Sequence, residues 1–331
     1  MAISHEQRAG LWRAKLRALA RDRLGRVDGI DYPAPWGAAL ETNGVWTALV
    51  EVSPERSFGQ VLVLVARNNA ESLDLLVSSD AAAVARRAQL FEPAPSVWRV
   101  EGTDLVVAEP SIADQVDAAP LEPSIHELLQ IDDVDIVIEH GSIIAECRGL
   151  EVGRVTGSGS QQRLDVGVGA YDQGAFAVMH ADLTPTDALG EVVRQVLQYR
   201  RRGGEPHPIN RLARERWLRW ELVQDPSPLG LESLEVVEPM SAREGIRDVA
   251  IASAVGTTAD GQRVLVACSV GIDLDAVPAA ADLAERHQAD RIVIVLPERD
   301  RYPFVEAVAA QSVRPVAFVS AMEPWNEPVP S

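Results

Sequence analysis

Three carboxylates on neighbouring strand-like runs are of a type and spacing that could do chemistry. Glu146, Glu151 and Asp165 stand in AECRGLEVGR and RLDVGVG. Acids on adjacent strands can converge on one face and hold a divalent cation through oxygen. Alternation puts Asp165 opposite Leu164 and Val166, away from a core those two would fill. The same acids also read as a solvated sheet face with Arg148 and Arg154 as counter-charges. Other signals are thinner. GVGAYDQG at 167–174 has Gly167 and Gly169 after a strand, but its third glycine is late and no ribose-binding acid follows, so it reads as a tight turn. His5, His126, His140, His180, His207 and His287 show no paired metal spacing. No GxSxG elbow occurs. The chain is expected to carry no cofactor, with Mg2+ entering only if the acids serve a metal-dependent hydrolase.

Lysine chemistry is nearly absent. Of 31 basic residues only Lys15 is a lysine, in a helical arginine-rich stretch with no glycine-rich loop before it. Arginine keeps its proton and serves neither as Schiff-base nucleophile nor as tunable base. A Walker-type loop, a kinase-type strand lysine and a lysine-dependent metal nuclease are therefore hard to build here. Net charge is −18, which argues against a globally basic nucleic-acid binder. Two basic islands interrupt the acidic body: residues 1–26 at +5 and residues 194–219 at +6, leaving −29 elsewhere. Such islands either dock on internal carboxylates or bind phosphates or an acidic partner. For the second role the candidate contacts are Arg200, Arg201, Arg202, Arg211, Arg214, Trp217 and Arg219, the tryptophan being suited to stacking.

The elements that must position these residues follow from periodicity. The pattern predicts an α/β, multi-domain chain, with βαβαβ-type N- and C-terminal domains and mixed sheets around a middle α+β domain. Residues 1–26 form a basic amphipathic helix, with Ser4 as cap and Gly25 as stop. An N-terminal α/β domain covers 27–108, opening with a turn-rich connection, GIDYPAPWG. A proline- and acid-rich linker covers 109–125. The middle domain, 126–223, has strands at 134–138, 142–147, 150–156 and 163–168, then helices near 171–180, 186–202 and 211–223. A second linker spans 224–245, the C-terminal α/β domain 246–321 and a flexible tail 322–331. VWTALVEV to SVWRV and RVLVACSV to RPVAFV echo one another as strand, helix, strand, helix, strand. Cys147 and Cys268 lie in strand-like runs and read as buried small hydrophobes in a reducing cytoplasm. No apolar run reaches transmembrane length, so a cytoplasmic protein with no membrane contact is expected.

The strand-crossover pattern resembles the core of the restriction-endonuclease-like superfamily. That resemblance implies an Asp and a Glu on a divalent metal, with a lysine two residues after the Glu. Asp31 or Glu41 with Glu51 fill the acidic places, but Ser53 stands at the lysine position. In the last block Asp248 precedes Ala267, Cys268 and Ser269, so both Glu and Lys are missing and the scaffold reads as degenerate. Separately, GLEVGRV, RLDVGVG, HPINRLARERWLR, SVWRVEG and VLVACSVGIDLD resemble an uncharacterised family from high-GC actinobacteria with no assigned activity. The functional expectation is a non-catalytic, cytoplasmic binding or assembly protein. It would contact nucleic acid or an acidic protein partner through arginine-rich helices, or form a homo-oligomer, in one variant through an exposed sheet edge. The alternative is a metal-dependent nuclease or hydrolase using Asp31 and Glu51, or Glu146, Glu151 and Asp165.

Overall fold

A computed structural model describes residues 4–112, 117–169, 183–241 and 250–325. The chain is α/β and divides into two compact units. One comprises Met1–Ala113, Leu274–Arg286 and Arg301–Val316; the other comprises Asp114–Asp273, His287–Asp300 and Ala317–Ser331. These bounds cut across the expected domains.

In the first unit, helix α1 (His5–Leu24) begins at a reciprocal capping box between Ser4 and Gln7 and stops at Gly25, whose φ is 68°. A six-stranded sheet follows in chain order: β1 (Ile30–Ala34), β2 (Gly37–Thr42), β3 (Val45–Val50), β4 (Ser72–Val77), β5 (Ser96–Glu101) and β6 (Asp104–Val107). β3, β4 and β5 run parallel and the outer pairs antiparallel. The expected turn-rich connection is therefore in large part the β1–β2 hairpin; proline and glycine hid its strands. Leu16, Leu19 and Ala20 of α1 pack on Ala38, Leu40, Leu49, Leu76 and Val100 of the sheet. The basic helix thus belongs to this unit's core. Parallel strands require crossovers, and α2 (Pro54–Arg67) and α3 (Ala81–Ala88) supply them.

Two later helices, α7 (Ala276–Arg286) and α8 (Pro303–Ala309), pack on α2 and α3 within this unit. The approach is close enough that a Cβ on Gly59 would lie 2.0 Å from the Leu274 carbonyl oxygen. Arg87 of α3 is buried there and reaches Asp275 at 3.0 Å, Glu55 at 3.1 Å and Asp282 at 3.1 Å. Burial would lower its pKa, but Asp275, Glu55 and Asp282 together hold it well above the ordinary range. Arg86 adds a bidentate bond to Asp282, 2.8 and 2.9 Å.

The second unit holds two sheets. An antiparallel one has the order β10 (Arg163–Val166), β9 (Leu150–Thr156), β8 (Ser142–Cys147), β7 (Asp135–Glu139). One face packs on α4 (Pro123–Leu128) and α5 (Pro185–Tyr199) through Ile143, Ala145, Val152, Leu164, Leu189 and Val193. The other sheet runs β11 (Leu231–Val237), β12 (Ala252–Thr258), β13 (Arg263–Cys268), β14 (Arg291–Leu296), β15 (Val316–Ser320). β11 lies inside the expected linker 224–245, which is therefore not irregular throughout. Leu231 and Leu234, brought to one face by a bulge between Leu231 and Ser233, join the core of β12 to β14. The expected linker at 109–125 ends in α4. The helix expected at 171–180 and Asp248 fall outside the described residues.

Both mixed sheets begin with three antiparallel strands and then turn parallel, at β3–β4 and at β13–β14. The internal echo is thus one of strand order and sense.

Candidate functional site

Helix α6 (Arg214–Gln224), the arginine-rich helix, carries the densest charge chemistry in the second unit. Leu218 and Leu222 face β11 to β14. Arg216 and Arg219 instead reach the antiparallel sheet. There the register places Asp135 beside Glu146 and Glu146 beside Glu151, so three acids form one row across β7, β8 and β9. Arg216 donates to Glu146 Oε1 at 2.9 Å and Glu139 Oε2 at 3.1 Å, and Arg219 donates to Glu146 Oε2 at 2.7 Å. Arg154 clamps Glu151 with bonds of 2.9 and 2.8 Å. Arg216, Arg219, Glu139, Glu146 and Glu151 are all buried. Charges taken so far from water persist only when closely paired. Burial would lower the Arg216 pKa, yet Glu146 and Glu139 hold it above its usual value. At the row's rim, burial raises the Asp135 carboxyl, opposed by a Trp220 hydrogen bond.

The turn between β8 and β9 seats the helix. A Cβ on Gly149, at φ 73°, would lie 2.4 Å from the backbone of Arg216. Only glycine combines that dihedral with that approach.

Of the expected surface arginines, Arg200 and Arg219 are internal. Arg200 is 0% exposed. It donates to the carbonyl oxygens of Arg148 (2.8 Å), Leu212 (2.8 Å) and Ala213 (2.9 Å) and lies 4.6 Å above the Trp217 ring. Burial pushes its pKa down to about 9, which still leaves it protonated at neutral pH. Trp217 is buried as well and donates to Glu221 at 3.1 Å. Arg202 pairs with Glu221 at 2.9 Å, and Arg214 bonds the Asn210 carbonyl at 3.1 Å beneath Trp325. Arg201 and Arg211 are exposed. Arg200, Trp217 and Arg219 are thus corrected from surface contacts to interior struts, because their donors meet carbonyls and carboxylates inside the unit.

The first island is engaged too. Lys15 lies 2.7 Å from Glu51, Arg17 bonds Asp31 at 3.0 Å, Arg23 meets Asp104 at 2.5 Å, and Arg26 pairs with Asp74. Asp31 and Glu51 do not converge. Asp31 pairs with Leu40 and Leu40 with Thr47, which leaves Asp31 about 13 Å short of Glu51 along the strand direction and two strands away. Glu41 caps the next turn through the Gly44 N–H, 2.7 Å. Ser53 stands at the start of α2 with a φ of 43° and no capping bond. Asp165 does project opposite the buried Leu164 and Val166, and is held by Thr156 at 2.9 Å and Arg163 at 3.0 Å.

Among the described residues no group of three or more His, Cys, Asp or Glu could hold a metal ion. A cavity of about 120 Å³ in the first unit is lined by Leu62, Val65, Leu73, Pro93, Pro95 and neighbouring residues, with no titratable side chain. Both thiols are buried, free and pushed up to about 12 by burial. Among the described residues no helix is long and apolar enough to cross a membrane. Sequence reasoning read Glu139 as a strand end beside the acidic run IDDVDIVIEH and missed Asp135 and the Arg87 cluster. No family model, curated protein or solved structure matches the chain.

Proposed function

We propose that this chain is a non-catalytic binding or assembly protein of a reducing, cytoplasmic compartment. One observation carries the reading: five of the candidate catalytic carboxylates already have a basic partner. Glu51 has Lys15, Asp31 has Arg17, Glu146 has Arg216 and Arg219, Glu151 has Arg154, and Asp165 has Arg163. A metal entering any of these places must displace a guanidinium or an ammonium. At Glu146 and Glu151 it must also open a buried cluster. The arginine-rich helix is then an internal strut, and partner contact falls to other surfaces, with Arg194, Arg201, Arg202 and Arg211 the exposed remnant of the basic island.

The alternative, a metal-dependent nuclease or hydrolase on a degenerate restriction-endonuclease-like core, draws support from Lys15. Its ammonium reaches Glu51 from α1 and occupies in space the role that Ser53 leaves empty in sequence. The second carboxylate is what that reading lacks. Calorimetry with magnesium and manganese, run beside cleavage assays on DNA and RNA, separates the two. No binding heat and no cleavage are expected. Metal-dependent cleavage abolished by Glu51→Gln or Glu146→Gln would replace the binding reading with the enzymatic one.

A further inference from the structure

We infer that the outer edge of β7 is a docking site for an extended basic segment of another protein, added as a fifth strand to the antiparallel sheet. The inference rests on the binding-protein reading and gives it a surface and a class of partner. β7 is an end strand of that sheet. Its hairpin to β8 turns through His140 and Gly141, both at positive φ, with Glu139 opposite Ser142. In such a two-residue hairpin the closing pair is hydrogen-bonded and the pairs then alternate. Asp135, Val137 and Glu139 therefore point their N–H and C=O groups at β8, whereas Ile136 and Ile138 point theirs outward. Those two residues also leave large apolar side chains in solvent, 39% and 50% exposed. Donors, acceptors and apolar side chains thus coincide on one strip.

Two other sheet edges carry devices that discourage pairing. β1 contains Pro33, which has no N–H, and β11 has a bulge between Leu231 and Ser233. β7 has neither. Charge selects the occupant. Asp132 and Asp133 are exposed just before the strand, and neither forms an ion pair among the described residues. A second copy pairing antiparallel about Val137 would bring Gly141 and Ser142, and no basic residue, level with Asp133 and Asp132. An incoming strand with lysine or arginine near Asp132 and Asp133 and apolar residues beside Ile136 and Ile138 supplies that missing counter-charge.

The test uses the full chain and a labelled peptide of alternating valine and threonine with lysines at both ends. Its control has glutamates for the lysines. We expect the lysine peptide to bind more tightly by roughly tenfold or more, with an affinity that falls with salt. Binding should slow hydrogen exchange at the Ile136 and Ile138 amides. Ile138→Pro removes an outward N–H that has no internal acceptor, and should abolish binding while leaving the far-ultraviolet circular dichroism unchanged. Exchanging Asp132 and Asp133 for lysine should reverse the preference to the glutamate peptide. Equal binding of both peptides, full affinity in Ile138→Pro, or unprotected Ile136 and Ile138 amides would each overturn the assignment. A dimer in sedimentation that Ile138→Pro dissolves would make a second copy the occupant and overturn it too. None of these failures touches the non-catalytic reading, which falls only on metal-dependent cleavage.

Discussion

Lys15 and Glu51 form an ion pair of 2.7 Å that joins α1 to the end of β3, and Ser78 shares the carboxylate. The pair is partly exposed, 36% at the lysine and 18% at the acid. Water screens such pairs, so Lys15→Met should cost no more than about 1 kcal/mol in urea unfolding. A loss several times larger would mean that the chain's one lysine anchors α1.

Glu146 is the opposite case. Glu146→Gln leaves the Arg216 and Arg219 guanidiniums buried with one carboxylate fewer. Destabilisation of about 3–5 kcal/mol is expected, read from the denaturation midpoint. A variant within 1 kcal/mol of the parent, on the scale of an exposed pair, would show that the cluster is hydrated rather than dry.

Adjacent arginines should behave differently. Arg200→Ala strips several buried carbonyls of their donor and uncovers Trp217, a loss of about 3 kcal/mol or more. Arg201→Ala, on the surface, should stay within about 0.5 kcal/mol. Thermal unfolding of the two variants side by side makes the comparison, and equal effects would contradict the inward path of Arg200.

Asp135 gives a pH signature. Its folded pKa is raised above the ordinary 3.8, chiefly by burial. The folded state therefore holds this proton more tightly than the unfolded state does. The stability it contributes is full below the unfolded pKa and is lost as pH rises through the folded value. Asp135→Asn should gain stability relative to the parent at neutral pH and lose that advantage in acid. Urea midpoints across the acidic range test this, and an advantage that grows in acid would reverse the sign.

The thiols should be quiet. Burial pushes Cys147 and Cys268 up to about 12, which leaves almost no thiolate at neutral pH. A thiol reagent should label neither in the native chain and both after denaturation. Rapid native labelling would place a sulfur at the surface.

Much of the architecture was legible because strand alternation is local. Residues 142–147 and 150–156 are strands as periodicity predicts, and α1 starts and stops at its expected caps. β1 and β11 were not, since Pro33 and a proline- and acid-rich setting imitate loops. The charge clusters were legible only as residue types. Arg216 lies 70 positions from Glu146 in sequence, and no spacing rule reaches that far. α6 misled for a further reason. It packs apolar residues on one sheet and guanidiniums on another, so its sequence lacks a solvent face and resembles an exposed arginine-rich helix.

The Arg87 cluster has a consequence for how the chain comes together during synthesis. Arg87 meets Asp275 and Asp282 across separations of 188 and 195 residues. Contacts that distant raise contact order and slow folding, because a long loop must close before they stabilise anything. On the ribosome the first unit cannot finish when residue 113 emerges. Arg87 and the faces of α2 and α3 stay uncovered until α7 and α8 arrive, a span in which that surface is open to chaperones and to aggregation.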